Sequence, residues 1–177
     1  MGILAYFRRL FGSAAQTADA GHAQRRNKPR LNARGGMRVL VVDDSPTIIA
    51  VLKRILQQNG YLVLEAEDAE KGVAIALAER PDLIFLDIVL PGMSGFAALR
   101  QLRRDLVTRE IPIIMMSGNE QATEQFYAQR IGADDFMKKP FSRAEVFARI
   151  EGLLDVSLLP KRHVVAARAA EAPTPVP

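Results

Sequence analysis

Cysteine is absent from the 177 residues, which excludes a disulfide framework, a thiolate metal site and a cysteine nucleophile. That absence suits a reducing compartment, and the expected setting is the cytoplasm. No apolar run approaches the roughly 18 residues a membrane span needs, and the N-terminus lacks the basic start, apolar run and cleavage site of a signal peptide. Tyr6 stands where a myristoylation signal after Met-Gly wants Ser or Thr. The only histidines, His22 and His163, fall in the polar, weakly patterned ends of the chain, so solvated side chains are a simpler reading than ligands or phosphodonors. Neither a P-loop nor a G-x-G-x-x-G follows the first apolar run, which argues against nucleotide binding.

Charge is unevenly spread. Residues 1–36 carry seven Lys and Arg against one Asp, whereas residues 37–155 carry 14 against 18 acidic side chains. A mildly acidic body therefore bears a basic arm, and the net positive charge is no argument that the body binds nucleic acid. In the arm, "MGILAYFRRLFG" (1–12) puts Ile3, Leu4, Phe7, Leu10 and Phe11 on one helical face with Arg8 and Arg9 off it. Such a segment suits a membrane surface or a partner's groove, and equally a short helix packed on its own domain. Residues 13–36 read as a flexible basic linker and residues 156–177 as a disordered tail, too short for a DNA-binding output domain.

Between them, at 37–155, apolar runs alternate with helix-period segments five times. The predicted strands are 38–42, 61–66, 83–87, 111–116 and 134–138, and the predicted helices 46–58, 69–79, 94–105, 120–130 and 142–154. Local chemistry agrees: Ser45-Pro46 starts a helix, Asn59-Gly60 stops it, Pro91-Gly92 turns the chain, and Ser142 with Glu145 forms a capping box. Repeated β-α units with apolar strands predict an α/β, doubly wound five-stranded parallel sheet with helices on both faces.

Ligands of such sheets bind beyond the carboxyl ends of the strands. The first strand ends in Asp43-Asp44, the third in Asp87, the fourth in Ser117 and the fifth in Lys138-Lys139-Pro140. Two carboxylates about 4 Å apart repel by roughly 4 kcal/mol at an effective dielectric near 20, so a positive group belongs among them. Oxygen ligands without His or Cys favour a hard cation, Mg²⁺ before a fully caged Ca²⁺. With Lys139 as a second positive group, the edge suits a dianionic phosphoryl group.

The motifs "VVDDS", "IFLDIVLPGMSG", "IIMMSG" and "GADDFMKKPF" together resemble the receiver domain of two-component response regulators, over residues 37–155. The resemblance implies a flavodoxin-like sheet of order 2-1-3-4-5 and a phosphoacceptor at Asp87, supplied by a histidine kinase or phosphotransfer protein. It further implies that Mg²⁺ is held by Asp44 directly, by Asp43 mainly through water, by Asp87 and by the backbone carbonyl of Val89. Ser117 and Lys139 would contact the phosphoryl oxygens, Phe136 would be the aromatic switch, and Lys139-Pro140 the family's cis peptide. The output would be a protein target met by the face at 120–154, and the wording "DIVLPGMSGFAALRQLRRD" is similar to regulators of twitching motility and chemotaxis-like pathways.

Three positions depart from the commoner pattern. Val89 is apolar where many relatives are polar, Phe136 lacks the hydroxyl of the commoner tyrosine, and Lys138 doubles the expected lysine but alternates to the opposite side of its strand. Two other functions compete: a receiver-fold interaction module that signals without phosphate, and an aspartate-based phosphohydrolase. "DIVL" lacks the second acid, two residues on, that common aspartate phosphatases use, so an enzyme in the ordinary sense is not expected.

Overall fold

A computed structural model describes residues 34–118 and 122–162. The expected N-terminal amphipathic segment, most of the linker and the tail beyond Arg162 lie outside the described residues. Five strands, β1 (Arg38–Val42), β2 (Leu62–Ala66), β3 (Leu83–Asp87), β4 (Ile113–Ser117) and β5 (Asp135–Lys138), alternate with five helices. The helices are α1 (Pro46–Gln57), α2 (Ala69–Glu79), α3 (Gly95–Arg104), α4 (Ala122–Arg130) and α5 (Arg143–Gly152). Every strand pair is parallel and the order is β2-β1-β3-β4-β5, the doubly wound arrangement expected.

Strand alternation builds two cores. Leu40, Val42, Ile84, Leu86, Ile113, Met115 and Phe136 face one way, against Val73 and Ala76 of α2, Leu99 and Leu102 of α3 and Ala128 of α4. Their neighbours Val39, Val41, Leu83, Phe85, Ile114, Met116 and Met137 face the other way, against Ile49, Leu52 and Leu56 of α1 and Val146 and Ile150 of α5. Burial of each such side chain stabilises by about 1.5–3 kcal/mol relative to exposure, which explains why the central strands read as continuous apolar runs. The edge strand β2 is the least covered, with Leu62 59% exposed.

The helix starts follow the local sequence. Ser94 Oγ accepts the Ala97 N–H and Ser142 Oγ the Glu145 N–H, while Asp68 caps α2 by accepting the Lys71 N–H. Ser45 occupies the cap position of α1 ahead of Pro46 but its side chain makes no capping bond; its own N–H donates to Asp43 Oδ1 at 3.0 Å instead. The Asn59-Gly60 stop holds, with Gly60 at φ 77°.

One boundary needs correction. The stretch from Val156 to Arg162 is not a structureless tail: Leu154 bridges to Pro160, the Lys161 N–H donates to Leu153 O at 2.8 Å, and Arg162 reaches Asp134. The last residues assigned to the linker are also tied, through Arg34 N–H to Leu158 O and Gly36 N–H to Gly60 O, both 3.0 Å. Such polar attachments carry no apolar period, so hydrophobic patterning passes over them.

Candidate functional site

At the carboxyl end of β1 the chain continues one residue beyond the strand, and Asp43 N–H still donates to Ala66 O of β2. Asp43 is thereby fully buried, while Asp44, one residue on, is exposed. Asp87 is the last residue of β3 and only 4% exposed. Asp43, Asp44 and Asp87 each offer an oxygen within 4.8 Å of the others. Lys139, just past β5, reaches across the sheet edge, its Nζ 2.6 Å from Asp43 Oδ2 and 3.0 Å from Asp87 Oδ2.

Close backbone contacts hold this edge. The Lys139 N–H donates to Ser117 O at 2.8 Å, and the Lys139–Pro140 peptide is cis. Gly95, the first residue of α3, approaches β3 so closely that a Cβ there would lie 1.9 Å from the Asp87 carbonyl oxygen; any side chain would push α3 off the strand end. From α2, Glu70 Oε1 accepts the Met93 N–H at 3.2 Å, which ties down the loop that carries Val89.

Burial pushes the Asp87 carboxyl up from its ordinary value and the Asp43 charge adds to this, while Lys139 and the Val89 N–H pull it down; the net direction is up. For Lys139, burial alone would lower the ammonium, but the Asp43 and Asp87 carboxylates outweigh it and the net direction is also up. Three carboxylates against one ammonium leave a formal excess of two negative charges when all are ionised. Asp43 Oδ2, although paired by charge with Lys139, is buried without a hydrogen-bond donor in good geometry. An all-oxygen donor set with an excess of two negative charges fits a hard divalent cation such as Mg²⁺.

The remaining predicted residues divide. Ser117 is fully buried at the end of β4, one residue beyond Met116, the register partner of Asp87, and its hydroxyl donates to Glu124 of α4. Val89 is 64% exposed. Phe136 is turned into the core between the sheet and α2–α4, and Lys138 is exposed. Sequence reasoning missed Glu124, which lies seven residues beyond Ser117 and in a different element, where no periodicity connects the two.

The chain matches the response regulator receiver domain family over residues 39–151. It belongs to that family. Among curated relatives of this receiver, protein PilH of Pseudomonas aeruginosa is 41% identical over 117 residues, which are 66% of this chain and 97% of PilH. The chain spans about half the length of several longer relatives, transcriptional regulators among them. Among solved structures, the chemotaxis protein CheY4 of Vibrio cholerae matches with a TM-score of 0.65 at 28% identity, over 68% of the receiver chain and 100% of CheY4. The receiver domain of sensor histidine kinase PA1611 from P. aeruginosa, which holds a magnesium ion in its active-site cleft, matches with a TM-score of 0.60 at 33% identity, over 66% of this chain and 94% of that one.

Proposed function

We propose that this receiver accepts a phosphoryl group on Asp87 in a Mg²⁺-dependent transfer and answers by changing the surface that a protein partner meets. The observation that carries the reading is Asp87 itself, buried at a strand end with the Lys139 ammonium on its carboxylate and Asp43 and Asp44 alongside. The donor we assign is the phosphohistidine of a histidine kinase or phosphotransfer protein: an Asp87 oxygen attacks phosphorus, the P–N bond breaks, and the imidazole leaves and takes up a proton. This chain's share is positioning and charge neutralisation. Lys139 faces the incoming oxygens, and Asp44, Asp43, Asp87 and the Val89 carbonyl would hold Mg²⁺, which supplies further neutralisation of the phosphoryl charge. The chain acts as a signalling module with Asp87 as acceptor, not as a turnover enzyme.

The output reading is a protein target on the face formed by α4, β5 and α5, because the Ser117 hydroxyl at the strand-end edge is bonded to Glu124 of α4, with Phe136 of β5 proposed as the aromatic switch. The similarity to the chemotaxis protein CheY4 favours a pathway of the chemotaxis type; the stretch Asp87–Asp105 adds the twitching-motility type to that reading, and the absence of cysteine suits the cytoplasm. Acetyl phosphate with Mg²⁺ should add one phosphoryl group, seen as a single mass increment, and Asp87→Asn should abolish it. Retained labelling in Asp87→Asn would overturn the assignment. A partner that binds wild type and Asp87→Asn equally would favour a phosphate-independent module.

A further inference from the structure

The Ser117 hydroxyl donates to Glu124 Oε2 at 2.6 Å, the length of a charge-assisted O–H···O⁻ bond. Ser117 is fully buried, and Glu124 sits in the first turn of α4. A hydroxyl carries one proton, so Oγ cannot fully donate both to Glu124 and to a phosphoryl oxygen on Asp87. We propose that Glu124 is a positioning residue that holds the Ser117 hydroxyl, and with it the first turn of α4, until a phosphoryl group on Asp87 competes for that proton. The inference rests on the phosphoacceptor reading and adds to it an opposing acceptor, built into this chain, that sets how readily the phosphorylated state forms.

Three features make the exchange consequential. The Ser117 carbonyl accepts the Lys139 N–H at 2.8 Å, which ties the Ser117 backbone to the residue whose ammonium lies on Asp87. Helix α4 is lightly anchored by packing: among its described residues Ala128 alone is fully buried, so the Glu124 bond near its start contributes to its attachment. Farther along α4, Tyr127 packs edge-on against Phe96 at 5.0 Å between centroids and accepts from Arg100 at 2.6 Å. Release of the Ser117 hydroxyl would loosen the first turn while the Tyr127 end stays docked, and Phe126, 62% exposed, rides on the segment between.

The test uses the full chain with Mg²⁺ and beryllofluoride as phosphoryl mimic, titrated by fluorine NMR, with amide hydrogen exchange across 122–130 read without the mimic. Glu124→Ala should bind the mimic about tenfold more tightly, equivalent to about 1.4 kcal/mol, and its α4 amides should exchange faster. Glu124→Gln, which keeps a neutral acceptor, should fall between Glu124→Ala and wild type. In a Ser117→Ala background, changing Glu124 should alter mimic affinity no further, a non-additivity that general destabilisation would not produce. Wild-type affinity in both Glu124 variants, or an undiminished effect without the Ser117 hydroxyl, would overturn the role of Glu124 and leave the phosphoacceptor reading standing. Failure of the wild type itself to bind the mimic would overturn both.

Discussion

Asp87 is held where its charge is costly, and that cost has a sign that can be measured. Burial and the nearby Asp43 raise its folded pKa above the ordinary 3.8, so the native state binds this proton more tightly than the unfolded chain does. Native stability without metal is therefore penalised above the folded pKa of Asp87, and the penalty fades as pH falls through that value toward 3.8. Asp87→Asn should accordingly raise the urea midpoint of the Mg²⁺-free protein at neutral pH, and its advantage should shrink on acidification across that window. A variant less stable than wild type at neutral pH would mean that the Lys139 contact outweighs burial. The same strain explains why the residue suits its role: a carboxylate poorly served by its surroundings gains from a cation and from a neutralised phosphoryl group.

Elements are joined by a second buried charge cluster, away from the acidic edge. The Asp134 side chain, 1% exposed, accepts from Arg103 at 2.7 Å and from Arg162 at 3.0 Å, and its Oδ2 also accepts the Ile113 N–H at 2.8 Å. Arg103 extends the link to Gly132 O and Ile111 O, and Arg162 to Arg109 O. One carboxylate thus ties α3, the start of β4, the turn before β5 and the segment after α5. Burial pushes the Arg103 guanidinium down to about 10, a shift that Asp134 opposes and the neighbouring Arg162 reinforces. Because removing one partner strands the others in a buried position, Asp134→Ala should cost about 3–5 kcal/mol in chemical denaturation. A loss below about 1 kcal/mol would reduce the cluster to a surface contact.

For the whole molecule, metal and stability are coupled by mass action. If Mg²⁺ binds only the native state, a concentration about 100 times its Kd adds about 2.7 kcal/mol to unfolding, and Asp44→Ala, which removes an exposed carboxylate proposed as a ligand, should lose most of that gain. Denaturation curves with and without Mg²⁺ check this, and equal gains in both proteins would remove Asp44 from the ligand set. The sheet, its helices and the convergence of Asp43, Asp44, Asp87 and Lys139 were legible in the sequence because apolar alternation is local and parallel strands bring their carboxyl ends to one edge. Predicted element ends were exact or off by one or two residues, as at β4, expected at 111–116 and found at Ile113–Ser117, since strand ends are decided by which neighbour supplies the last hydrogen bond. The Arg103–Asp134–Arg162 cluster and the Ser117–Glu124 bond left no such trace. They join residues 31, 28 and 7 positions apart, and contacts between polar side chains on different elements obey no period. By itself, then, the sequence determined the layers and which chemical groups share an edge; only the tertiary structure decided which acceptor holds each donor, because that depends on distances of a few ångströms set by packing.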